Sequence, residues 1–206
     1  MEITDDDKKV VIIVIFCMSL CISNILTVKF IDLGYYNLFI PAGILMYPLV
    51  YLLSNIITQV YGEHAAKRVI IMGLFANIIF VLLTLTMLFL PTAGSNIHDP
   101  QLAFIFGKTP RLFIAGRIAY LAGSFANASL TTVMHTKFSK IRPRYRSIFT
   151  ISIGLFIDIL IFISLGYIGE VSLVAIISMI ITYWIFNVIV ICIINPLIKP
   201  TIRWIN

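Results

Sequence analysis

SIFTISIGLFIDILIFISLGYI, residues Ser147–Ile168, decides the fold. It is an apolar run long enough to cross a bilayer, which takes about 20 residues in a helix. One ionisable residue, Asp158, sits near its middle. A carboxylate at that depth costs about 2.5–3.5 kcal/mol on insertion scales. Helix formation does not require it, so by default it faces a polar interior and marks a pathway or a binding site. The rest of the chain reads as a cage around this position.

Composition agrees with that reading. Of 206 residues, 60% are hydrophobic and 12% charged, with a mean hydropathy of +1.04; soluble domains carry about 25% charged residues. No stretch is suited to a separate soluble unit, so one integral-membrane domain over residues 1–206 is expected. Six apolar runs have the length of spanning helices: Val10–Val28, Leu38–Val60, Val69–Leu90, Leu112–His135, Ser147–Ile168 and Leu173–Ile194. Barrel strands would be shorter and would alternate in polarity. Hydrocarbon makes even Ile- and Val-rich runs helical, because each backbone group must be satisfied internally. The expected fold is all-α, a bundle of six transmembrane helices. In the long connection Pro91–Pro110, the LAFIF core reads as a short interfacial helix or a partial lid.

Charge sets the orientation. The net charge of +6 would suggest a nucleic-acid partner in a soluble protein. Here Lys8, Lys9, Lys67, Arg68, Lys137, Lys140, Arg142, Arg144, Arg146, Lys199 and Arg203 all fall in the tails and in the second-to-third and fourth-to-fifth connections. That bias places both termini in the cytoplasm and removes the need for a nucleic-acid partner. Cys17, Cys21 and Cys192 lie inside apolar runs with no CxxC, so they read as packing residues, and no disulfide, metal or cofactor is expected. MEITDDDKK is too acidic for a signal-peptide n-region, so the first run reads as a retained helix.

Within the runs, Asp158 is accompanied by Asn24, Asn55, Gln59, Asn77, Arg117, Asn127, His135 and Asn187. Arg117 and Asp158 differ in depth by about 7 Å at 1.5 Å per residue, within reach of an extended arginine. A charge pair or a shared water cavity would lower the cost of both. Arg117 snorkelling to the outer interface is the competing reading. Asn55 and Gln59 share a helix face at i, i+4. Asn77, Asn127 and Asn187 read equally as interhelical hydrogen-bond partners or as cavity lining. His135 reads as interfacial or capping. Pro41 and Pro48 free backbone carbonyls in the second run, which means a kink or a ligand contact. Tyr183 and Trp184, close to Asn187, are candidates for stacking on a planar ligand. An intramembrane protease would need HExxH, a Ser–His pair or a second buried carboxylate; HExxH is absent, His135 falls near the cytoplasmic end, and no second carboxylate lies within the runs beside Asp158, so no enzyme is expected.

Beyond these features, AGILMYPLVYLLSNIITQVYGEHAAKRVI resembles the signature of the vitamin uptake transporter/queuosine precursor transporter family. SNILTVKFIDLG, the segment beginning GRIA, and IGLFIDILIFISLGYIG are similar to family elements in the same order, over about residues 10–196. Many members carry acidic residues where this chain has Asn55, Gln59 and Met134, while Asp158 matches. The resemblance implies bacterial inner-membrane import of 7-deazapurines such as queuine, preQ1 or preQ0 for tRNA queuosine salvage. Read with the residues above, the expected substrate site is Asp158, Arg117, Asn127, Asn55, Gln59, Trp184, Tyr183 and Asn187, of which Asp158 is the one that matches the family position. A carboxylate accepts the adjacent N–H donors of a guanine-like edge, and Asn reads mixed donor and acceptor edges. No GxxxxGK[ST] phosphate loop occurs, so the chain works alone, as a homo-oligomer, or with a borrowed ATPase and coupling subunit. A substrate-binding subunit of an energy-coupling-factor-type transporter and a non-transport structural subunit are the alternatives.

Overall fold

The computed structural model describes residues 4–26, 29–32, 39–91, 99–106, 110–169 and 172–205. Among them are eight α-helices and one short two-stranded ladder. Thr4 starts α1 (Asp5–Leu26) with a capping box: its hydroxyl accepts from the Asp7 N–H, and its own N–H donates to the Asp7 carboxylate at 2.9 Å. The second apolar run is not one continuous helix from Leu38, which itself lies outside the described residues. It begins as β2 (Phe39–Pro41), antiparallel to β1 (Phe30–Asp32), with Ile31 opposite Ile40. A tight 3-10 turn over Ala42–Leu45 follows, and α2 is Met46–Tyr61. Pro41 cannot donate inside a helix, whereas Pro48 falls in the first turn of α2, where no donor is needed.

Gly62 separates α2 from α3 (Glu63–Phe89) with φ +84°, the left-handed region that glycine enters without strain. The expected short helix in the long connection is α4, Asp99–Phe106, packed against α3. α5 (Pro110–Lys137) and α6 (Pro143–Tyr167) form the most extensive helix pair. Pro143 opens α6 at a position that needs no N–H. Arg146 donates to the carbonyl oxygens of Met134 and His135, so Arg146, rather than the exposed His135, caps the end of α5. Ser172 caps α7 (Leu173–Ile194) by accepting from the Ala175 N–H. The C-tail is not an extended tail: a turn at Asn195–Leu197 leads into α8, Ile198–Ile205, which buries Ile198 and Ile205 and leaves Lys199, Arg203 and Trp204 outside.

α2 is the axis, with every side chain from Val50 to Thr58 buried. Around it stand α1, α3, α5, α6, α7 and α8. The outer faces are apolar: Phe75, Leu83, Val174 and Ile193 are each more than 60% exposed. Polar residues inside and apolar ones outside is the arrangement hydrocarbon selects. Among the described residues, four stretches combine the length and apolarity of a membrane span: Asp6–Leu26, Glu63–Phe89, Pro143–Tyr167 and Leu173–Ile205. α5 is long enough at 28 residues but too polar to join them, and α2 has 16 residues. The basic residues gather at one end. Lys8 donates to the Ile205 carbonyl, Lys9 shares a cleft with Arg68, and Arg144 shares another with Lys199.

Candidate functional site

Three helices turn a polar stripe toward one another. On α6, Ser147, Thr150, Gly154 and Asp158 lie within one face at 100° per residue, as do Arg117, Tyr120, Ser124, Asn127 and Thr131 on α5. On α2, Tyr47, Tyr51, Asn55 and Gln59 recur every fourth residue. The stripes meet because small residues let α5 and α6 approach. A Cβ on Gly123 would lie 2.6 Å from the Gly154 carbonyl oxygen and 2.8 Å from the Asp158 Cβ, and would run into the Tyr51 hydroxyl. A Cβ on Gly154 would lie 2.8 Å from that of Asn127. Contacts this close are what small residues provide between membrane helices.

Asp158 is 5% exposed and faces inward, as expected. Its Oδ2 accepts from the Tyr51 hydroxyl at 2.9 Å. Of the arrangements expected with Arg117, a charge pair or a shared water cavity, the direct charge pair is not a contact of Asp158 among the described residues. Arg117 donates from Nη2 to Asn24 Oδ1 on α1 at 3.2 Å and acts on Asp158 as a nearby positive charge. Depth arithmetic along two helices does not fix the azimuth, and Arg117 is turned toward α1. Nor, among the described residues, is Asp158 in the lining of the cavities found at the stripes. A cavity of about 200 Å³ reaches Ser147 from the basic end; two others that reach the stripes have about 10 Å³ each, room for about one water. One lies between Tyr47, Asn77, Arg117 and Tyr120; the other lies between Asn55, Gln59, Thr131 and Ser147. The closed packing of Gly123, Gly154 and Tyr51 fills the space beside the carboxylate.

Toward the basic end, Asn55 is the hub of a buried network. Its Nδ2 donates to Thr131 and Thr150, each at 2.8 Å, and its Oδ1 accepts from Gln59 and Ser147. The i, i+4 pairing of Asn55 and Gln59 is realised as a hydrogen bond. Asn127 donates to the Tyr51 carbonyl at 3.3 Å, whereas its Oδ1, with Ser54 Oγ and Asn187 Oδ1, is buried without a hydrogen bond among the described residues. Such groups in a low-dielectric interior cost about 1–3 kcal/mol each until a water or a ligand meets them. Asn77 donates to the Leu20 carbonyl and ties α3 to α1.

Tyr183 and Trp184 are not beside Asp158. They join Ile159, Ile163, Ile176 and Ile180 in the α6–α7 seam. Trp184 Nε1 donates to the Ser152 carbonyl at 3.0 Å, and its ring meets Phe156 edge-on. Ser152 and Phe156 lie about 120° and 160° around α6 from Asp158 at 100° per residue. Asn187 donates to the Tyr183 carbonyl on its own helix. The aromatic residues that do reach the polar interior are Tyr47, Tyr51 and Tyr120, all missed in the sequence because a tyrosine in an apolar run reads as a belt residue. For Tyr47 and Tyr51 the signal was the four-residue spacing that joins them to Asn55 and Gln59, and for Tyr120 the helical spacing that joins it to Arg117, Ser124 and Asn127.

An apolar-faced bundle of long helices around a buried polar column defines a multi-pass membrane protein. The family model described as "Putative vitamin uptake transporter" matches residues 41–200, and the chain belongs to that transporter family. No curated protein and no solved structure matches the chain.

Proposed function

We propose that the chain carries a 7-deazapurine precursor of queuosine across the bacterial inner membrane. Queuine, preQ1 and preQ0 are the candidate cargoes, and the purpose is tRNA queuosine salvage. The carrying observation is a buried carboxylate, Asp158, held by Tyr51 inside a polar column in which Asn127 Oδ1 has no hydrogen bond among the described residues. Such a column suits a flat ligand with alternating donors and acceptors. In this reading Asp158 grips the guanine-like edge while Arg117 and Asn127 shape the cavity. Asn55 and Gln59 close the cytoplasmic mouth, and Tyr51, Tyr47 or Tyr120 stacks in place of Trp184 and Tyr183. The cargo enters when α5 and α6 part from α2, since the present packing is closed. Six helices span: α2 with its preceding 3-10 turn covers about 32 Å at 1.5 and 2.0 Å per residue, close to the ~30 Å hydrocarbon core. The basic end faces the cytoplasm, and so do both termini.

The test is uptake of labelled queuine, preQ1 and preQ0, read as queuosine in tRNA, in cells without their own transporter. Accumulation of at least one precursor is expected, and background uptake of all three rejects the reading. Trp184→Phe is expected to leave the half-saturating concentration unchanged within about twofold, because Trp184 belongs to the α6–α7 seam. A rise of tenfold or more would return Trp184 to the ligand.

A further inference from the structure

We infer that a cleft at the basic end binds a phosphate-bearing anion. The site lies away from Asp158, meets the polar column at Ser147, and does not depend on the cargo. The cleft has a volume of about 200 Å³ between the N-terminus of α6 and the turn into α8, and is lined by Pro143, Arg144, Ser147, Asn195, Ile198 and Lys199. None of the residues that line it is acidic. Three features point to an oxyanion. Arg144 and Lys199 supply two positive charges from opposite walls, and arginine presents a fork that matches phosphate oxygens. The start of α6, a 25-residue helix, adds the partial positive charge of its first turn. Asn195 is 2% exposed, lines the cleft, and holds a buried Nδ2 with no hydrogen bond among the described residues. A buried donor without a partner is costly, and an anion between Arg144 and Lys199 supplies the acceptor once the amide turns to it.

The same chemistry comes from two sources, a phospholipid headgroup or a soluble phosphate. Leu197 and Ile193 beside the cleft are exposed apolar residues on which an acyl chain can lie. Ser147 also gives the site a link to the polar column, because its hydroxyl bonds Asn55 and its residue forms a wall of both the cleft and the small cavity around Asn55.

The experiment is thermal unfolding of the full chain in two arms. In the first, detergent-solubilised protein is titrated with inorganic phosphate against chloride of equal ionic strength. In the second, nanodiscs of phosphatidylcholine with and without phosphatidylglycerol are compared. Saturating ligand is expected to raise the midpoint by about 5 °C. Arg144→Gln, Lys199→Gln and Asn195→Leu are each expected to weaken apparent affinity about tenfold, and Lys140→Gln, outside the cleft, to leave it unchanged. A shift with phosphatidylglycerol alone assigns a lipid headgroup; a shift with inorganic phosphate as well assigns a soluble phosphate. No shift in either arm overturns the site. So does a Lys140→Gln variant that loses as much as Lys199→Gln, since that is unspecific attraction. Arg144→Gln and Lys199→Gln alter exposed side chains, so the test survives if Asn195→Leu fails to fold.

Discussion

Asp158→Asn is expected to cut precursor uptake by more than about 100-fold while the protein inserts and folds normally. The carboxylate is acceptor-only, so it takes paired N–H donors from a ligand edge. An asparagine amide replaces one acceptor with a donor that faces another donor. Losing charge-assisted hydrogen bonds worth about 1.5–3 kcal/mol each accounts for that factor at about 1.4 kcal/mol per tenfold. Folding is spared because the Tyr51 hydroxyl, now 2.9 Å from Oδ2, can donate to the amide oxygen instead. A neutral side chain is also cheaper to bury than a charged one. The expected unfolding midpoint is therefore equal to or above that of the wild type. Uptake and midpoint should be measured on the same preparations. Unchanged uptake would remove Asp158 from the ligand. Loss of uptake together with a lower midpoint would make Asp158 part of the scaffold instead.

Gly123→Ala is expected to give the largest loss of stability among single-methyl additions. The new Cβ meets the Gly154 carbonyl oxygen at 2.6 Å and the Asp158 Cβ at 2.8 Å, and it strikes the Tyr51 hydroxyl as well. Two of these obstacles are anchored to backbone and cannot swing aside, so α5 and α6 must separate. Over-packing of this kind costs about 1–3 kcal/mol, or roughly 3–10 °C in midpoint for a chain of this size. Gly116→Ala on the same helix is the control. Its Cβ would lie 3.7 Å from the Phe162 ring, an ordinary contact, so a shift within about 1 kcal/mol is expected. Equal effects at the two glycines would show that the α5–α6 approach is looser than the packing described. Because the Gly123 methyl would also push on Tyr51 and Asp158, uptake should fall with stability. Asp158→Asn, by contrast, separates the two.

Much of the molecule was legible in its residues. The buried acid in Ser147–Ile168 fixed an inward-facing segment, because an unpaired carboxylate has no tolerable place against lipid. The apolar lengths marked where helices run, since hydrocarbon leaves the backbone no other solution. The motifs around Asn55 and Asp158 gave a family that the match over residues 41–200 bears out. The regularity of the second run was misread. Pro41 and Gly43 break it, and a short strand ladder with Phe30–Asp32 takes the place of its first turn. α8 was passed over as a tail because three of its eight residues are Lys, Pro and Arg, although Ile198, Ile202 and Ile205 recur on one face.

The sequence by itself determined that the chain lives in a bilayer, where its long apolar helices run, and that an acid and several amides are kept from lipid. These follow from one-dimensional quantities: run length, polarity and charge bias. Only the tertiary structure decided which groups meet. Tyr51 rather than Arg117 reaches Asp158, Arg117 turns to Asn24, and Trp184 serves the α6–α7 seam. Position along a helix gives depth, whereas partnership depends on how far each helix is rotated and how closely it approaches. Those are set by the glycines at 123 and 154 and by everything packed against them.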